Sequence, residues 1–495
     1  MAQWIFRSVF LGTQLGALSA SVRSLPDRVA AGECIDSTAA LGVMEQLYPS
    51  KISGFPDPAL ATAEPAVTSA QLIEIAYGNR FKVLTEKYSK EQYVLTQCGT
   101  SPPNNTEIDA VASGAGYQRK HFSIPLQRVT AASTTILSFL RRLGVEDRVA
   151  YVDGSSSHAC WQKALSCGSK LESSWGGNLT KRQEQLNEVD VAFMDCGGDC
   201  SAINARSNAV HVPATLDNGN LHSAEYIKFL AAFFNLEELA LQSFSDTVAS
   251  YTSKMSDGTS GPLVAWLSWN SWSNPPRYEL SQAAYKLQLV TAAGGRNVDP
   301  TSLSGVTLEA IDATAGNPAA GKIYYINAGA DRAAAAAQLL GALQDVAIVI
   351  DETYAQIPAD YNFSSFLSTY YLTNTSTQKF ITDKKVLRFD GLLSANLGWD
   401  WLESRVAYPD RAVSGLARYV ADPSASRTYF RNVAINEQPE IITADMCTTA
   451  LPACDQSQLA TPITLRLTTE TSKSTTATPL STALLASAFA FGVAM

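Results

Sequence analysis

Histidine is nearly absent from this chain. Its 495 residues include four, His121, His158, His211 and His222, all in the first half. A metal site that gathers imidazoles from two halves of a protein is therefore excluded. Three catalytic signatures are also missing: Gly-x-Ser-x-Gly, His-Glu-x-x-His and the Walker loop. Carboxylate pairs such as Asp351-Glu352 have no histidine beside them in sequence. The expectation is a non-enzyme with no resident metal or cofactor. Charge is sparse as well, with 17% ionisable residues, a net charge of −9 and no basic patch, so no nucleic-acid partner is expected.

What is present describes a packed, secreted protein. Hydrophobic residues make up 46%, over a length sufficient for two or three domains. Residues 1–21 read as a signal peptide, with Arg7, an apolar stretch at 9–18, then Ser19-Ala20-Ser21. Residues 437–478 form a cysteine-containing tail and a Ser/Thr-rich stalk. Residues 479–495 form an uncharged hydrophobic anchor signal. That layout is the one of GPI attachment, at Ser472 or Ser474, with a marginal tail-anchor helix as the rival. Eight cysteines, an even number, fit an oxidising compartment. Proximity suggests pairing within Cys160 and Cys167, Cys196 and Cys200, and Cys447 and Cys454, leaving Cys34 for Cys98. A zinc site from His158, Cys160, Cys196 and Cys200 is the alternative, and disulfides are preferred in a secreted chain. Sequons at Asn104, Asn178, Asn362 and Asn374 agree with a glycosylated protein at the plasma membrane.

Periodicity sets the organisation. Residues 34–120 are a prologue whose patterned part, Leu72 to Tyr77 and Phe81 to Leu84 around Gly78-Asn79, reads as a β-hairpin. Residues 121–222 form a first α/β lobe, with strands at 127–130, 148–152, 189–194 and 209–212. The helix at 136–143 is opened by Ser133-Thr134-Thr135 and closed by Gly144. Residues 223–257 read as one uninterrupted linking helix with Ser223 at its N-cap. Residues 262–436 form a second lobe, with strands at 263–267, 323–326, 346–350 and 386–389. Its helices are expected at 285–293, 333–343 and 401–420. The fold class is α/β: two Rossmann-like lobes with parallel sheets, one long joining helix and a ligand cleft between.

Three of the eight tryptophans, Trp266, Trp269 and Trp272, close a strand just before Asn274-Pro275-Pro276. Strand ends in open α/β sheets are where ligands bind. Trp266 belongs to the strand and is expected to be buried. Trp269 and Trp272 are expected to face a large, partly apolar ligand.

Several ordered segments carry a family likeness: Ile124-Pro125-Leu126-Gln127-Arg128-Val129-Thr130 with Ser133-Thr134, Val189-Asp190-Val191-Ala192-Phe193, and Gly294-Gly295-Arg296-Asn297-Val298. Trp401-Leu402-Glu403-Ser404-Arg405 followed by Pro409-Asp410 completes the set. Over roughly 121–435 the chain resembles the class III substrate-binding proteins of bacterial importers, and with its surface-anchor features the cobalamin acquisition proteins of algae. The resemblance implies capture of cobalamin (vitamin B12) as transported ligand, with an unidentified membrane transporter or receptor as partner. It implies a cleft lined by Ser133, Thr134, Trp161 and Asp195 from the first lobe. Trp269, Asn270, Trp272, Tyr354, Trp399 and Trp401 would come from the second, with Asp351 and Glu352 nearby. Packing under the lobe is the other reading of Trp401, and a solvated strand end the other reading of Asp351 and Glu352. Glu403 matches a transporter-docking glutamate, with a helix-surface carboxylate as its plainer role. Alternatives are a ferric siderophore or haem ligand held by Arg296 and Arg388, and a wall glycoprotein or adhesin without transport.

Overall fold

The computed structural model describes residues 32–34, 66–174, 177–195, 205–253, 255, 259–314, 317–329, 331–448, 451 and 454. The expected signal peptide, the stalk with its anchor signal, Cys196 and Cys200 lie outside the described residues. Among the described residues, no helix is long and apolar enough to cross a membrane.

The Gly78-Asn79 turn does join a hairpin. β1 (Ile73–Tyr77) pairs antiparallel with β2 (Phe81–Glu86), from Ile73 opposite Glu86 to Tyr77 opposite Lys82. β3 (Glu91–Gln97) continues the meander. α1 (Asn105–Val111), capped by Asn104, crosses back so that β4 (Gln118–Ile124) runs parallel to β3. This sheet shares the first lobe's core: Tyr93 of β3 meets Phe229 and Phe233 at ring distances of 6.0 and 6.3 Å.

The first lobe is a four-stranded parallel sheet in the order β6 (Val149–Tyr151), β5 (Val129–Ala131), β7 (Val191–Met194), β8 (Ala209–His211). Each strand was legible as a short apolar run, as fully covered parallel strands require. α2 (Thr134–Arg142), α3 (Ala159–Ser166) and α4 (Leu179–Asn187) make the crossovers. Ser133 is the N-cap of α2 but makes no side-chain capping bond.

The single linking helix is corrected. The stretch divides into α5 (Asn220–Ala224), α6 (Tyr226–Ala231) and α7 (Glu237–Thr252), and Ser223 lies inside α5 rather than capping it. The break before α7 has a definite cause. The buried Lys82 ammonium donates to the Ala232 carbonyl and to Asn235 Oδ1, both at 2.8 Å, and pairs with Glu237. That carbonyl is diverted from the helical ladder, and Asn235 turns the chain at φ 58°. Only the 16 residues of α7 lead onward to the second lobe.

The second sheet has a parallel centre and antiparallel additions. β9 (Leu263–Asn270), β14 (Ile348–Asp351) and β15 (Val386–Arg388) run parallel, with the short β11 (Arg296–Asn297) beside β9. β10 (Arg277–Ala283), β13 (Asn317–Asn327) and β12 (Glu309–Thr314) extend it antiparallel on one side, and β17 (Arg431–Asn432) on the other. The strand expected at 323–326 is therefore the end of a long antiparallel strand. The helices of this lobe are α8 (Ala284–Ala292), α9 (Arg332–Ala342), α10 (Phe363–Thr369) and α11 (Lys379–Thr382). The helix expected over 401–420 is two, α12 (Asp400–Ser404) and α13 (Pro409–Val420). Pro409 lacks a donor and pushes Tyr408 out of helical geometry, so it begins a helix rather than continuing one.

Cysteine pairing follows space rather than sequence proximity. Cys34 pairs with Cys98 as expected, but Cys160 pairs with Cys447 and Cys167 with Cys454. Residues seven apart lie on one face of a helix but about 10 Å apart along its axis, so the thiols on α3 cannot meet each other. They meet a returning segment instead. That segment pairs β18 (Glu440–Ile442) in parallel with β16 (Leu392–Ser394) of the second lobe, then is clamped to α3 of the first. Gln162 of α3 also donates to the Ile442 carbonyl at 2.8 Å.

Candidate ligand-binding site

The lobes meet chiefly where α12 docks on the N-terminal ends of α2 and α3. Thr135 and Ser138 donate to the carbonyls of Leu402 and Glu403, each at 3.0 Å. Ser157 Oγ donates to Asp400 at 2.8 Å, and the Glu403 carboxyl accepts the backbone N–H groups of Ser157 and His158. Glu403 thus fills a helix N-terminus, a position that attracts negative charge. It is 1% exposed, so neither transporter docking nor a helix-surface role fits it. Burial, reinforced by Asp400, pushes its pKa up to about 8.

A pH dependence follows. The folded carboxyl is protonated at neutral pH, whereas the unfolded one ionises near 4.5. Folding takes up a proton, so stability falls as pH rises from about 4.5 to about 8. Glu403→Gln is expected to match the parent at pH 4 and exceed it by about 1–3 kcal/mol at pH 8. Asp400, also raised by burial, keeps a residual slope. Thermal melts across this range check it; an equally steep fall in the variant refutes it.

Two cavities open along this seam, each walled by both lobes. The larger, of about 280 Å³, lies between α2 and α3 on one side and α12 and α13 on the other. Arg141, Arg142, His158 and Trp161 reach it from the first lobe, Asp400 and Arg411 from the second. Its charges are unequally engaged. Arg142 is spent on structure, donating to Ser243 Oγ and to the Ser243 carbonyl at 2.6 Å, and to Thr247 and Ala407. Arg141 pairs with Glu146 through one nitrogen, while its Nε is buried with no partner among the described residues. The Arg411 guanidinium lies 4.2 Å over the Tyr408 ring and makes no hydrogen bond or ion pair among the described residues. His158 Nδ1 accepts from Cys160 N at 3.2 Å, which leaves Nε2 as the donor. Burial, with Arg141 and Arg411 adding to it, lowers its pKa to about 4, so it is neutral at pH 7. The one carboxylate, Asp400, is held by Ser157 and Ser404. The cavity is an anion-attracting space with donors from both lobes. The smaller cavity, of about 30 Å³, lies near Asp217, Tyr285 and Arg405.

The expected site residues do not form one aromatic-lined cleft. Trp269 lies on β9 with its ring 4.7 Å from Tyr278 and the Arg332 guanidinium 3.9 Å above it. Trp272, 71% exposed, stands 6.3 Å from the exposed Tyr354. Asn270 holds the turn, accepting from the N–H groups of Trp272 and Ser273 at 3.0 Å and donating to Glu279. These residues share the strand-end side of the second lobe, but neither Trp269, Trp272 nor Tyr354 lines either cavity. Trp266 is buried as expected. Trp401, fully buried, packs at 6.0 Å from Trp266 and 5.3 Å from Phe430, so packing under the lobe is its role. Trp399 rests at 5.1 Å on Phe389. Ser133 and Thr134 are half-buried at the start of α2. Asp195 is held by Thr215, and burial lifts its pKa to about 6. Of the ten expected residues only Trp161 lines either of these two cavities.

The arginines are corrected too. Arg388 is fully buried, bound to Asp351 at 3.0 Å and Asp390 at 2.7 Å, and Arg296 is spent on the Gly261 carbonyl. Asp351 and Glu352 are buried and paired, Glu352 with Lys286 at 2.5 Å, so the solvated strand-end reading fails.

No family model matches the chain, and none of the curated proteins matches it. Among solved structures, the chain is similar to a periplasmic heme binding protein from Pseudomonas aeruginosa, at 14% identity and a TM-score of 0.37, over 62% of this chain and 98% of that one. An ABC transporter substrate-binding protein from Listeria monocytogenes is similar at 17% and 0.39, over 60% and 99%. The siderophore binding protein BauB, bound to acinetobactin and ferric iron, is similar at 13% and 0.39, over 59% and 90%.

Proposed function

We propose that this protein captures an anionic iron chelate, a ferric siderophore or haem, in the larger cavity between its lobes. The observation that carries the reading is the cavity into which both lobes direct cations, Arg141 from one and Arg411 from the other, against a single carboxyl, Asp400. Guanidinium groups recognise carboxylates and other oxyanions bidentately. Transfer to a membrane transporter or receptor at the cell surface, with a GPI-type anchor and glycans, completes the reading. It is supported by the disulfides and by the exposed sequon asparagine Asn104. Cobalamin is the second ligand. The exposed Trp272 and Tyr354 pair offers apolar area for a flat macrocycle, outside the cationic cavity.

The test is calorimetric titration of the secreted chain with haemin, a ferric catecholate siderophore and cyanocobalamin. The expected result is saturable binding of an iron chelate, weakened at least about tenfold by Arg141→Ala with Arg411→Ala. Binding of cyanocobalamin alone, lost on Trp272→Ala, would replace the first reading with the second. Binding of none of the three would return the protein to the adhesin class.

A further inference from the structure

Arg405 is a buried charge in need of a partner. It follows α12, is 8% exposed, and lies over the rings of Tyr285 at 4.3 Å and Trp401 at 5.1 Å. Among the described residues its guanidinium makes no hydrogen bond and no ion pair, and its Nε is buried without an acceptor. Ring contact offsets only part of the cost of removing such a group from water. Arg405 lines the smaller cavity, and so does Tyr285, whose hydroxyl is likewise buried without a hydrogen-bond partner among the described residues. Two donors therefore line one small space and neither is engaged by an acceptor, although Asp217 Oδ1, also without a hydrogen-bond partner among the described residues, lines the same space.

The surroundings narrow what that acceptor is. Asp217 faces the cavity from the first lobe. One of its oxygens accepts Gln71 N and Leu72 N at 2.8 and 3.0 Å, and the other lies 3.4 Å from His222 Nδ1. Lys286, the cation next to Tyr285, is already paired with Glu352. A fixed carboxylate across a small cavity penalises a dianion and tolerates a single charge. Ala284, Ala313 and Ala320 give the cavity an apolar wall beside the donors, and its volume of about 30 Å³ restricts the ligand to a few heavy atoms.

We propose that this cavity is a binding site for a small monocarboxylate, its two oxygens accepting from the Arg405 guanidinium and the Tyr285 hydroxyl. The planar fork of arginine matches a carboxylate bidentately. A bound carboxylate gives both orphaned donors an acceptor and bridges the second lobe to the first-lobe loop that carries Thr215 and Asp217. The site is separate from the larger cavity and does not depend on what fills it.

The experiment is a thermal-shift and calorimetric titration of the full chain with acetate and L-lactate, against phosphate and sulfate at matched ionic strength. The expected result is a saturable rise in melting temperature with the monocarboxylates alone. Arg405→Met abolishes that response and also raises the melting temperature without ligand, since it removes an unpaired buried charge. A merely structural arginine would do the reverse. Tyr285→Phe weakens affinity about tenfold. Ala320→Leu fills the cavity and abolishes binding with Arg405 in place, so the inference stays testable if the arginine variant fails to fold. The proposal is overturned by absence of a saturable response, by an equal response to phosphate, or by carboxylate binding that survives Ala320→Leu. Iron-chelate binding, measured separately, is expected to be unchanged in all three variants.

Discussion

Asp390→Ala is expected to destabilise the second lobe by about 3–5 kcal/mol, the largest loss from any single substitution considered. Asp390 is fully buried and accepts from Arg388 Nε at 2.7 Å and from Arg431 Nε at 2.6 Å. Asp351 takes the other side of Arg388 at 3.0 Å, so two buried cations and two buried anions balance. Arg431 also donates to the carbonyls of Pro358 and Tyr361 at 2.8 and 2.9 Å, tying the loop after β14 to β17. Alanine at 390 leaves Arg388 with Asp351 alone and Arg431 with backbone carbonyls but no carboxylate. The cost comes from stranding charge, not from losing an attraction, and so exceeds what a surface pair shows. Urea denaturation followed by tryptophan fluorescence checks it, since Trp266 and Trp401 belong to the same lobe. A loss below about 1 kcal/mol would mean that the cations find other partners.

Removing the paired staples is the second large effect. The Cys160–Cys447 and Cys167–Cys454 bridges each span 287 residues and close nearly the same loop. Deleting one is therefore expected to cost little, because the other still closes that loop. Deleting both opens it and is expected to cost about 2–5 kcal/mol, more than twice either single deletion. The returning segment would then depend on the β16–β18 pairing, three residues long. Limited proteolysis should cut after residue 442 in the double-bridge variant and not in the parent. Equal resistance would show that the strand pairing suffices.

The readable parts of this fold are those decided locally. Gly78-Asn79 between alternating segments fixes its hairpin, and short apolar runs fix the first parallel sheet. What resisted reading was decided by residues far away. The break before α7 depends on Lys82, 150 residues earlier in sequence, drawing on the Ala232 carbonyl. β10 (RYELSQA) and β12 (EAIDAT) carry little apolar pattern because they extend an existing sheet. The site was harder still. Tryptophans draw the eye in a sequence, but the buried ones pack and the exposed ones stand outside the cavities. Arg141, Arg405 and Arg411 resemble any other surface-helix arginine until α12 brings the lobes together. Only then does it emerge which guanidinium groups have partners.

The Cys160–Cys447 bridge gives the molecule a property of topology. Everything between those residues, including the linking helix and the whole second lobe, lies on a covalently closed ring. A single protease nick anywhere on that ring yields two polypeptides that still migrate as one protein until reduced. Loops of the second lobe can therefore be cut without shedding it.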